Sequence, residues 1–154
     1  MKKYLLGFGL LFVFNMLLAV LPARAAVGPD DVLGVWKNGE GTGMIQIYKS
    51  GNKYFGRLVW LKVPNTPEGT PRTDVNNPDE AKRKVALKGL VNMREFVYSG
   101  DGKWSDGKIY DPKNGSDYSC EMTLTDANTL EVRGYIGVSL FGRTDVWKRQ
   151  AMKK

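Results

Sequence analysis

From residue 33 to residue 149 the chain is a succession of short β-branched and aromatic runs, each closed by a cluster of Gly, Asn, Asp or Pro, with no amphipathic helical stretch between them. Such a pattern fits antiparallel strands joined by tight turns. About eight strands are expected, over residues 33–37, 44–49, 53–62, 87–98, 103–110, 117–124, 129–136 and 143–149, with boundaries good to a few residues. The connections Ser50-Gly51-Asn52, Ser99-Gly100-Asp101-Gly102, Pro112-Lys113-Asn114-Gly115 and Thr125-Asp126-Ala127-Asn128 carry residues that accept positive φ or start a type I turn. In the clearest hairpin, Cys120, Met122 and Leu124 share a parity with Leu130, Val132 and Ile136, whereas Glu121, Thr123, Glu131 and Arg133 take the other. One face is therefore buried and one is wet. Hairpin following hairpin is satisfied most simply by an all-β, antiparallel up-and-down barrel, which leaves no exposed edge; a two-sheet sandwich is the second solution.

One connection breaks the rhythm. Residues 63–83 hold Pro64, Pro67, Pro71 and Pro78 with Gly69, Asn76 and Asn77, so this stretch is a loop rather than a strand. A loop of that length in a compact domain is functional or mobile. One helical turn is expected near 78–84, with Asn77 as N-cap and Pro78 in first position.

The beginning of the chain bears on the compartment. Lys2 and Lys3 precede an apolar run that ends in Pro22-Ala23-Arg24-Ala25, and Ala23 and Ala25 match the small-residue positions of a cleavage site. Residues 1–25 are thus expected to be a signal peptide and residues 26–154 a single β-barrel domain; the alternative is an uncleaved anchor, because the run nearly reaches spanning length. The expected destination is the periplasm or the exterior, with no membrane span after cleavage. Loss of Lys2, Lys3 and Arg24 takes the formal charge from +7 to about +4, so much of the basicity belongs to the export segment. No Lys/Arg cluster is interleaved with aromatics as in single-strand nucleic-acid binders, so nucleic acid is not an expected partner.

The chain contains no histidine, which removes the commonest general base and metal ligand. Its single cysteine, Cys120, cannot form an intrachain disulfide and shares the parity of Met122 and Leu124, as a small buried hydrophobe would. Asp106, Asp111 and Asp117 flank turns, where Asp is ordinary turn chemistry, and nothing in their spacing sets two carboxyls across a cleft. Asp74, Asn76 and Asp79 resemble the start of a calcium loop, but the turn Gly and closing Glu are lacking. No metal, cofactor or catalytic residue is assigned.

Gly34-Val35-Trp36 opens the first strand and Trp147-Lys148-Arg149 closes the last, two strands that become neighbours when a barrel closes. Trp36 can then plug the floor beneath the Arg149 guanidinium. A G-x-W with a basic residue on the last strand resembles the lipocalin and calycin group. Longer stretches are more specific: Tyr54-Phe55-Gly56-Arg57-Leu58-Val59-Trp60, Asp74-Val75-Asn76-Asn77-Pro78, Gly107-Lys108-Ile109-Tyr110-Asp111-Pro112, and Arg133-Gly134-Tyr135-Ile136-Gly137 with Phe141-Gly142-Arg143-Thr144. Together they resemble the exported bacterial proteins of domain of unknown function family 2147. The resemblance implies a lipocalin-like barrel of about eight strands, with no established activity.

Arg133-Gly134-Tyr135 also resembles the Arg-x-Tyr pair with which fatty-acid-binding barrels hold a carboxylate, although parity points both side chains outward unless Gly134 hosts a bulge. The other candidate ligand contacts are Trp60, which ends the strand entering the long loop, Tyr110 and Tyr118, which flank the 111–117 turn, and Arg143 as an anion-binding group. The function expected is non-enzymatic binding of a small amphiphilic or hydrophobic molecule in the envelope. A packed interaction or structural module is the second reading and a low-turnover hydrolase the third.

Overall fold

The computed structural model describes residues 26–151. The eight strands are β1 (Gly34–Lys37), β2 (Gly43–Ser50), β3 (Lys53–Leu61), β4 (Val91–Gly100), β5 (Lys103–Asp111), β6 (Ser116–Asp126), β7 (Thr129–Tyr135) and β8 (Arg143–Gln150). They form a closed antiparallel barrel in sequence order, with β1 pairing β8 through Trp36 opposite Arg149. The expected hairpin is present in register, with Met122 facing Val132 and Leu124 facing Leu130, all four buried. The expected signal peptide, residues 1–25, lies outside the described residues.

Several boundaries move, each for a local reason. The fourth strand begins at Val91 rather than residue 87, because the Leu87 amide donates to Arg72 O at 2.9 Å and ties that residue into the long loop. The short helix is a 3-10 turn, Glu80–Lys82, capped by Asp79 rather than Asn77. Asn77 is occupied elsewhere: its Nδ2 donates to Asp74 Oδ2 at 2.7 Å and its Oδ1 accepts from the Asp79 amide at 2.9 Å. Ile136, grouped with the core by parity, is 75% exposed because β7 ends one residue earlier and the alternation stops with it. A second 3-10 turn, Ser139–Phe141, sits in the loop that follows.

One end of the barrel is solid. Trp36, Tyr54, Phe96, Met93, Trp104, Met122 and Leu130 are fully buried there, and the segment before β1 closes it off. That segment satisfies the polar tips of the aromatic core: Trp36 Nε1 donates to Val32 O at 2.8 Å, Trp104 Nε1 to Pro29 O at 3.2 Å, the Tyr98 hydroxyl to Val27 O, and the Tyr54 hydroxyl to Asp30 Oδ1 at 2.7 Å. Arg149 lies 4.2 Å from the Trp36 ring centroid, a cation–π contact, while its guanidinium donates to the carbonyls of Ala127, Leu33 and Asp31. Gly34 explains the first letter of G-x-W. Its φ of 131° is closed to L side chains, and a Cβ there would stand 3.0 Å from Arg149 Nη1.

Candidate functional site

The other end is hollow. A cavity of about 980 Å³ opens between the turns that connect β1 to β2, β3 to β4, β5 to β6 and β7 to β8. Ile45, Leu58, Leu61, Ile109, Val132 and Trp147 give it apolar walls, and Gly134 on β7 leaves space where a side chain would stand. The connection from β3 to β4 lies at its mouth, contributing Lys62, Val63, Arg72 and Leu87 to the lining.

That connection is clasped rather than loose. Asp74 is buried; its Oδ1 accepts from the Tyr110 hydroxyl at 2.8 Å and its Oδ2 from Asn77. Asn76 Nδ2 donates to Pro112 O and Lys113 O at 3.1 and 3.0 Å, and Gly115 permits the approach, since a Cβ there would meet Asn76 O at 2.0 Å. Both carboxylate oxygens of Asp74 therefore serve the clasp, and among the described residues no group of three or more Cys, Asp or Glu is placed to hold a metal ion. Burial, followed by the adjoining Asp74 carboxylate, pushes the Tyr110 phenol up to about 12.

Charge at the mouth is unevenly satisfied. Glu40 pairs with Lys113 Nζ at 2.5 Å, a contact that holds its carboxyl below the usual range. Asp111 Oδ1 accepts from the Lys113 amide at 2.9 Å, and Asp145 Oδ2 accepts from Trp147 Nε1 at 2.7 Å. By contrast, the side chains of Arg143, Arg72 and Lys62 line the same mouth, all exposed and without a hydrogen-bond or ion-pair partner among the described residues. The surplus charge is positive and free to meet an anion.

The structure gathers some of the residues singled out in the sequence and disperses others. Tyr110, Tyr118, Tyr135 and Arg143 line the cavity. Tyr118 is half-buried and its hydroxyl accepts from Asn114 Nδ2 at 2.9 Å. Trp60 does not line it. The β2–β3 register steps from Met44 opposite Trp60 to Ile45 opposite Leu58, so Val59 is an extra residue; Leu58 and Leu61 turn inward, and Trp60 is left 39% exposed outside. Arg133 is also outside the cavity, so it forms no joint carboxylate site with Tyr135. Its Nε donates to Ser139 O at 2.8 Å, its Nη1 to Thr144 Oγ1 at 2.8 Å and its Nη2 to Leu140 O at 3.1 Å, which makes it the brace of the β7–β8 loop.

Glu40, Asp111 and Asp145 are the carboxylates that line the cavity, and the other residues weighed for nucleophilic or paired-acid chemistry lie elsewhere. Cys120 is buried outside the lining, and burial pushes its thiol up to about 12. Of the three acids beside turns, Asp111 alone reaches the cavity; Asp117 pairs with Arg94 at 2.8 Å and Asp106 sits exposed on a positive-φ kink.

Sequence patterns missed Asn92. The register of β3 against β4 steps from Gly56 opposite Met93 to Arg57 opposite Val91, which makes Asn92 the extra residue and turns it into the cavity lining beside an equally buried Met93. A polar residue one place from an apolar one reads as the wet side of a strand. No local signal marks this bulge.

Comparison with known proteins agrees with this architecture. The barrel is similar to the solved structure of protein HP1028 from the human pathogen Helicobacter pylori, described as belonging to the lipocalin family, with a TM-score of 0.69 and 19% identity over 77% of this chain and 82% of that one. At that identity the likeness is one of fold. No curated protein matches the chain. Residues 34–149, which run from the glycine beside Arg149 to Arg149 itself, match the family described as "Uncharacterized protein conserved in bacteria (DUF2147)", and the chain belongs to that family.

Proposed function

We propose that the protein binds a small anionic amphiphile in the cell envelope without transforming it, holding the apolar body inside the barrel and the head group at the mouth. The observation that carries this reading is the cavity itself. An eight-stranded barrel can be filled by its own side chains, whereas this one is filled at one end only, and about 980 Å³ is at the upper end of the roughly 300–1,000 Å³ typical of small-molecule sites. The apolar walls supply the driving force for a chain, and Arg143, Arg72 and Lys62 supply unspent positive charge for a head group. The lipocalin-like fold supports binding by analogy, and the signal-like residues 1–25 support export to the periplasm or beyond.

Titration with fatty acids and lysolipids of graded chain length, followed by tryptophan fluorescence, tests this directly, since Trp147 lines the cavity. Saturable binding that strengthens with chain length is expected. Absence of saturation with every amphiphile would shift the balance to an interaction module, for which the exposed Ile136, Val138, Leu140 and Phe141 of the β7–β8 loop, the last 80% exposed, offer an apolar contact surface.

A further inference from the structure

Asn92 is only 6% exposed, lines the cavity, and has a buried Oδ1 with no hydrogen-bond partner among the described residues. Buried amide oxygens are nearly always paired, and one left unmet is costly. The protein has little to offer it. Met93 opposite Ile109 puts Asn92 level with Tyr110 on the adjacent strand, but the Tyr110 proton is already donated to Asp74. The other cavity residues on β3 and β5 are Leu58, Leu61 and Ile109, which have no polar side chain, and Asp111, whose carboxylate accepts rather than donates.

Position adds a second constraint. Asn92 is the second residue of β4, just inside the mouth, beneath the connection that carries Lys62 and Arg72. A ligand whose anionic head meets those cations therefore passes Asn92 with the part of its chain that adjoins the head, while the remainder reaches the apolar walls below.

Building on the amphiphile-binding reading above, we propose that Asn92 is a specificity-determining residue that selects amphiphiles bearing an O–H or amide N–H donor next to the anionic head group, such as hydroxylated fatty acids or N-acylated amino acids. A plain alkyl chain leaves Oδ1 buried and unmet. A hydroxyl or amide N–H satisfies it at no cost in apolar contact deeper in the barrel. Sites that hydrogen-bond a ligand group reject the analogue lacking it far more strongly than apolar pockets reject a missing methylene.

The test compares dodecanoate, 3-hydroxydodecanoate and N-decanoylglycine as ligands of the wild-type protein and of Asn92→Leu, by calorimetry or tryptophan fluorescence. The wild type is expected to favour the two donor-bearing ligands by about tenfold or more, a conservative figure for hydrogen-bond discrimination. Asn92→Leu is expected to bring all three within about twofold by strengthening or preserving dodecanoate binding while weakening the others. Equal wild-type affinities for the three ligands would overturn the proposal while leaving amphiphile binding intact, and so would a preference that survives in Asn92→Leu. Failure of all three to bind the wild type would instead overturn the amphiphile reading on which it rests. Should Asn92→Leu not fold, Asn92→Ala removes the same acceptor, and the wild-type series decides on its own.

Discussion

The two ends of the barrel are made of the same antiparallel hairpins but treat their polar groups in opposite ways. At the solid end, Trp36, Trp104, Tyr54 and Tyr98 each hand a proton to the segment before β1, and Arg149 spends its guanidinium on three carbonyls and an indole face. At the hollow end, Arg143, Arg72 and Lys62 have no hydrogen-bond or ion-pair partner among the described residues, and Asn92 holds a buried acceptor unmet by any of them. Saturated hydrogen bonding belongs to a part of the molecule that only has to stay folded. Unspent charge and unspent acceptors over an apolar hollow are what a binding surface keeps in reserve.

The contrast predicts that mutations at the solid end act on stability and those at the hollow end on ligands. The largest effect is expected from Trp36→Ala, which removes a fully buried indole and is expected to cost about 3–5 kcal/mol in denaturant unfolding. Arg149→Ala is expected to cost less and to couple with it, and a double-mutant cycle showing no interaction energy would separate the two side chains. Next, Arg143→Ala is expected to weaken an anionic amphiphile by about 1.5–3 kcal/mol, the scale of a charged hydrogen bond, with stability unchanged to within about 0.5 kcal/mol, as for an exposed residue. An equal loss of stability would erase the division between the ends.

Tyr110→Phe probes the clasp at the mouth of the hollow end. Removing the hydroxyl leaves the buried Asp74 carboxylate with one donor fewer, at an expected cost of about 1–3 kcal/mol and with faster ligand release in stopped-flow measurements. The same contact has a pH signature. The folded phenol titrates at about 12 against an ordinary value of 10.0, so its contribution is complete below the ordinary value and is lost as the pH rises from there toward the folded one. A loss of stability is expected in that window, and Tyr110→Phe is expected to remove one late-titrating phenol from the ultraviolet difference spectrum, leaving Tyr54, whose phenol burial also pushes up. The smallest effect is expected from Trp60→Ala, within about 0.5 kcal/mol for both stability and binding, because the side chain stands outside the barrel; a clear loss of ligand affinity would mean that binding is not confined to the cavity.

Trp60 and Asn92 show where reading the sequence stops. Strict alternation from Leu58 sends Trp60 inward and, from Met93, sends Asn92 outward, and each assignment is inverted by one extra residue in a strand. A bulge is a property of two strands in register, so neither strand announces it alone. Arg133 was legible as outward-facing from its parity with Glu121 and Glu131, but its partners, Ser139, Leu140 and Thr144, come from a loop whose fold depends on how β7 meets β8. Asp74 and Asn76 stood out as a motif, yet beyond the local Asn77 their partners, Tyr110, Pro112 and Lys113, lie on the β5–β6 hairpin, far along the chain.

The sequence by itself determined the barrel. Period-two alternation, turn residues at short intervals and the G-x-W to Arg149 pair are local or terminal signals, and burying one face of consecutive hairpins without an exposed edge leaves few other solutions. Only the tertiary structure decided that the barrel is filled at one end and hollow at the other, and which side chains face the hollow. Those depend on volumes summed across eight strands and on bulges that reverse facing by a single residue, quantities defined between strands rather than along any one of them.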